Sequence, residues 1–169
     1  MALFLIANGP QPTSAAQAVV TTGTSIKTML QVKASATKPF KIVEWGVSFD
    51  GSAAATPGKV ELLETDGAAT VTAHVAAGIV KLDGEALACG DPTTNLFPVG
   101  TTSTGYTSSG EGTHTAIREF DVQLIAPTNQ YIKQFPLGRE PVVQVSKFGI
   151  IRVTFAAAVN CYAYMVVEI

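Results

Sequence analysis

An antiparallel two-sheet β-sandwich of jelly-roll type is the fold the sequence predicts, and three observations predict it. Apolar and polar residues alternate in short runs, the period of half-buried strands. Gly, Pro and Asp-Gly pairs punctuate those runs at the intervals usual for sandwiches and barrels. Amphipathic helical periodicity is nearly absent, so there is no βαβ alternation. The 169 residues suit one domain. Residues 24–169 read as a single all-β sandwich, preceded by an N-terminal arm or strand over residues 1–23.

Met1 to Ala7 is apolar but lacks a basic start, and Asn8-Gly9-Pro10 cuts it short of a signal-peptide core. It reads as a short strand or arm docked on the domain or on a neighbouring copy. Ile26 to Lys33 alternates, with Ile26, Leu30 and Val32 on one side and Lys27, Gln31 and Lys33 near the other. Pro39 restarts the chain, and Val43, Trp45, Val47 and Phe49 then share one face of the clearest strand, which Asp50-Gly51 closes. Val60 to Glu64, Val71 to Val75 and Ile79 to Leu82 are further short strands parted by Asp66-Gly67 and Gly78. From Ala88 to Thr113 the chain is rich in Gly, Pro, Thr and Ser, and Gly100 to Gly110 reads as an exposed loop. Phe120, Val122 and Leu124 alternate with Glu119, Asp121 and Gln123 in the next strand. Val142 to Phe148, Ile150 to Phe155 and Tyr162 to Ile169 close the series, divided by Gly149 and by Ala156-Ala157-Ala158. Eight to ten strands are expected.

Hydrophobic residues make up 47% of the chain and charged residues 14%, against about 25% charged in typical soluble domains. A sheet with so few charges to guard its edges is prone to edge-to-edge association. A closed assembly that hides apolar area between copies removes that liability. Net charge is −2 and there is no run of basic residues, which argues against nucleic acid as a partner. No segment reaches the roughly 18 apolar residues of a membrane span, so a soluble product made in the cytoplasm is expected. Cys89 and Cys161 lie in no C-x-x-C pair and are expected to be two buried thiols rather than a disulfide. With only His74 and His114 to join them, at no recognised spacing, a structural zinc site is excluded.

The segment from Trp45 to Val60 runs from a strand through glycines to Gly58-Lys59, as a phosphate loop does. Six residues separate Gly51 from Gly58 where four are needed, and Val60 replaces the Ser or Thr that would reach magnesium. The residues after Lys59 read as a strand, so the anion-binding helix terminus is missing. No G-x-S-x-G elbow accompanies His74 and His114. Glu44 and Glu61 alternate with Lys41 and Lys59 as solvent-facing strand residues do, so they and Glu64 and Asp66 read as surface charge in preference to a glycosidase pair. Tyr162 and Tyr164 read as strand packing ahead of an interface stripe. No catalytic residue, metal or cofactor is assigned.

The run Ile42 to Pro57 (IVEWGVSFDGSAAATP), continuing into Val60 to Asp66 (VELLETD), resembles small structural proteins from the head-gene regions of tailed bacteriophages. Ala126 to Glu140 (APTNQYIKQFPLGRE) is similar to them as well, and these stretches cover about a third of the chain. The resemblance implies a capsid decoration or cement protein, a jelly roll that assembles as a homotrimer on the outer face of a shell of major capsid protein. It brings no active-site residues. On this reading the protein is a virion component of the capsid exterior and no enzyme. Leu3, Phe4, Leu5 and Ile6 are expected as an inter-subunit or capsid-docking arm, and Tyr131, Lys133, Phe135, Arg139 and Glu140 as part of a fixed contact segment. The alternative is a head fibre or carbohydrate-binding sandwich that touches the host surface through the loop over 100–113.

Overall fold

The computed structural model describes residues 2–52, 55–82, 84 and 96–169. It is an antiparallel two-sheet β-sandwich, as the alternation predicts. The strands are β1 (Leu3–Ala7), β2 (Val20–Thr21), β3 (Ile26–Lys33), β4 (Phe40–Asp50), β5 (Gly58–Thr65), β6 (Thr70–Ala73), β7 (Ile79–Lys81), β8 (Gly105–Gly110), β9 (Ile117–Ile125), β10 (Gln130–Gln134), β11 (Val142–Val143), β12 (Phe148–Thr154) and β13 (Asn160–Glu168). The first sheet runs β10-β4-β13-β1-β7, with β11 also on β4 and β2 on β13. The second runs β6-β8-β3-β12-β5-β9.

The N-terminal segment docks on its own domain. β1 lies between β13 and β7, with Leu3 opposite Glu168 and Phe4 opposite Lys81. Where β1 leaves the sheet, the buried Asn8 side chain continues the ladder: it accepts from Ala163 N at 2.9 Å and donates to Cys161 O at 3.1 Å. Phe4 and Ile6 point into the sandwich with Ile42, Trp45, Val47, Met165 and Val167, facing Leu30, Val32, Leu62, Ile151 and Val153 of the other sheet. Phe97 meets Phe4 and Phe40 edge to face, with ring centroids 5.3 and 5.7 Å away.

The structure shifts several boundaries. A bulge opposite Val166/Val167 changes the parity of β4, so Ile42, not Val43, takes the core position beside Trp45. Gly149 does not divide two strands; it lies inside β12. Gly105–Gly110, expected as exposed loop, is strand β8, paired with β3 and β6. It has no apolar alternation because Gly105 passes so close to β6 that an added Cβ would stand 2.4 Å from Thr72 O. The start of that expected irregular region, including Cys89, lies outside the described residues.

Gln31 and Glu61 are buried although the alternation places both on a polar face. Gln31 clamps two loops to the outside of the second sheet: it accepts from Ala69 N at 2.8 Å and donates to Ser103 O at 2.6 Å. Leu63, Ile150, Ala69 and Val71 are buried as well, outside the main core cluster.

Candidate assembly interface

Strands β9 and β10 are the outer strands of the two sheets and are joined by the turn at Ala126 to Asn129, so one flank of the sandwich carries both open edges. Backbone bonds from Gly51 N to Pro127 O and from Phe49 N to Asn129 O fix that turn. Between the edges stands Asp121, whose side chain is 6% exposed. It accepts from the Tyr131 hydroxyl at 2.9 Å and from Gln123 Nε2 at 3.1 Å, and pairs with Lys133 Nζ at 3.2 Å. Burial opposes the charge, but the donors Gln123, Tyr131 and Lys133 outweigh it and hold the carboxyl below its usual range. Burial, together with Asp121, pushes the Tyr131 phenol up to about 12. The Tyr131 ring meets Trp45 edge to face at 5.4 Å, and Lys133 lies over the Phe135 ring at 5.1 Å.

Beyond β10 the chain leaves β4, turns, and returns as β11. Phe135 N bonds Val43 O on the way out, and Ile42 N bonds Pro141 O on the way back. Inside the turn, Arg139 N bonds Pro136 O and Gly138 N donates to Glu140 Oε2 at 2.9 Å. Gly138 holds φ at +82°, which a side chain would strain. This fixed turn presents Leu137, 96% exposed, with exposed Arg139 beside it. Val122, Leu124 and Ile132 on β9 and β10 are exposed as well. Val122 and Leu124 stand on the outer side of the second sheet and Ile132 on the outer side of the first, with Leu137 projecting from the turn between β10 and β11.

The expected contact residues thus divide. Tyr131, Lys133, Phe135 and Glu140 are partly buried and build the flank from within, whereas Arg139 is free to meet a partner. Phe4 and Ile6 are fully buried in their own core, so only Leu3 and Leu5 of the proposed arm face outward. Sequence reasoning placed Leu137 inside the fixed segment Tyr131 to Glu140 without singling it out, and it overlooked strand β10 and the exposure of Leu124.

Tyr162 and Tyr164 are not core residues. They alternate with buried Cys161, Ala163 and Met165 and stand half-exposed on the outer face of the first sheet. The Tyr164 ring covers Gly46, where an added Cβ would be 2.6 Å from it, and its hydroxyl donates to Glu44 at 2.7 Å.

The groups tested for chemistry take structural positions. Arg152 grips buried Glu61 through Nε at 3.0 Å and Nη2 at 3.2 Å. Buried Glu64 accepts from Arg118 at 2.9 Å and from Gln144 N at 2.7 Å. The His74 ring is 2.7 Å from Ala7 O through Nε2, with no partner at Nδ1, and burial pushes its pKa down. Glu111 binds Thr28 N, the Thr28 hydroxyl and the Ser108 hydroxyl, tying the end of β8 to β3. Cys161 is buried and free, and burial pushes its thiol up to about 12. The segment after Gly58-Lys59 is strand β5, where a phosphate loop would have a helix. No cluster of three potential metal ligands occurs among the described residues, and no helix among them is long and apolar enough to cross a membrane. The chain matches no protein-family model, no curated protein and no solved structure.

Proposed function

We propose that this is a virion structural protein that decorates and stabilises the outer face of a tailed-phage capsid as a homotrimer, with no enzymatic role. The β9–β10–β11 flank carries the reading: a rigid turn projects Leu137 beside the two open sheet edges, which the fixed Asp121–Tyr131–Lys133 anchor ties together. Such a surface in a chain with only 14% charged residues calls for a protein partner. The resemblance of Ile42 to Asp66 and of Ala126 to Glu140 to phage head proteins names the class of partner, a shell of major capsid protein. Repeated contacts from a symmetric oligomer would convert modest single-site affinity into lasting attachment. Binding of the purified chain to purified undecorated heads, with electron-microscopic density on the shell exterior, tests the reading. Absence of binding at saturating concentration overturns it.

The Tyr162–Tyr164 pair favours a second reading, a head fibre or glycan-binding module. Their centroids are 6.1 Å apart, and Tyr164 lies over Gly46 beside the Glu44 carboxylate. A glycan array that loses its signal on Tyr164→Ala would support that reading over decoration.

A further inference from the structure

We propose that the Leu137 turn of one copy seats in an apolar groove beside Lys41 and Glu168 of a second copy of this chain. The inference deepens the assembly reading above and rests on it. The groove, about 390 Å³, lies where β11 and β13 flank the start of β4, and Pro39, Phe40, Lys41, Val142, Glu168 and Ile169 line it. Its walls are largely apolar, and its charges are Lys41 and Glu168, 3.6 Å apart.

Three features of the turn match it. Leu137 is 96% exposed, so it fills no groove of its own copy. The turn is already held by the Gly138–Glu140 and Arg139–Pro136 bonds, and docking a fixed knob costs little ordering entropy. Arg139 has no carboxylate partner among the described residues, whereas Glu168 across the interface has only the 3.6 Å contact to half-exposed Lys41. Leu137 in the groove brings the Arg139 guanidinium towards Glu168, where it can form the short charge-assisted bonds that Lys41 does not. The charges are complementary in both directions, since the turn carries Arg139 and Glu140 and the groove Lys41 and Glu168. Knob and groove are distinct patches, and repeated head to tail the contact runs around a ring that closes where the rotation allows.

Sedimentation of the full chain and of Leu137→Asp tests the contact. Leu137 touches little of its own fold, so the variant keeps the wild-type melting temperature, and its self-association weakens by at least about tenfold, a factor of 1.4 kcal/mol. A second experiment mixes Leu137→Cys with Pro39→Cys, both in a Cys89→Ser background, under oxidised glutathione. A disulfide between the two different chains supports the contact. Wild-type self-association by Leu137→Asp, or no mixed disulfide, overturns it. If wild-type oligomers bind heads while Leu137→Asp is unaffected, this contact falls and decoration stands; if the wild type ignores heads, decoration falls on that readout alone.

Discussion

The Tyr131 hydroxyl donates to Asp121 Oδ2 at 2.9 Å, tying the edge of one sheet to the edge of the other across the open flank. Tyr131→Phe leaves a buried carboxylate with one donor fewer and is expected to cost about 1.5–3 kcal/mol in urea unfolding, because hydrogen bonds to charged groups lie in that range. The folded pKa of Asp121 is depressed below its ordinary 3.8, so its contribution is present above that value and is lost as pH falls through the folded pKa. Asp121→Asn is therefore expected to flatten part of the acid limb of the stability curve below about pH 4.

Arg152 and Glu61 form a two-point pair with little exposure on either side, 15% and 8%. Arg152→Ala strands the carboxylate and is expected to cost about 3–5 kcal/mol. Replacing both, as Glu61→Leu with Arg152→Met, should recover most of the loss. Chemical denaturation of the two variants checks it; equal stability of both would contradict the pairing.

His74 predicts a second pH effect at higher pH. Its folded pKa lies below the ordinary 6.5 because burial disfavours the imidazolium. The unfolded chain therefore takes up the proton first. The stabilising contribution is full above pH 6.5 and is lost as pH falls from there towards the folded pKa. His74→Gln should remove this dependence between pH 7.5 and about 5.5, measured as the shift in urea midpoint. The ring resonances of His74 should not titrate at 6.5 in the folded wild type.

Gly46→Ala places a Cβ 2.6 Å from the Tyr164 ring and forces that ring off the sheet, at a cost of about 1–3 kcal/mol. The penalty should shrink in a Tyr164→Ala background, where nothing is displaced. A double-mutant cycle by thermal melting reads the difference.

Most strands were legible because alternation reports a face directly, as β4 from Trp45 onward shows. In β9 the alternation is there but its faces are exchanged: Val122 and Leu124 are exposed while Asp121 is buried against Tyr131 and Lys133. Pairing over distance was not legible. Glu61 and Glu64 read as solvent-facing beside Lys59, yet both are buried because their cations arrive from Arg152 and Arg118 on strands far along the chain. Strand β8 escaped notice because it lacks apolar alternation: backbone pairing and the polar bonds of Ser108 and Glu111 to Thr28 help hold it to its neighbours. Tyr162 and Tyr164 looked like packing because nothing in the local text shows that Gly46 lies opposite and offers a seat to a ring. Within the candidate interface, the fixed turn in the segment Tyr131 to Glu140 was legible, while the exposure of Leu137 depends on the turn leaving β4, which only the fold reveals.

The position of β13 between β4 and β1 governs biogenesis. Phe4 and Ile6 are synthesised well before their ladder partners Val167 and Met165. Closing that span is entropically slow. The nascent chain therefore holds greasy, unpaired strands until β13 has been made, a window in which a cell's chaperones, rather than its own sheet, must keep it from clumping.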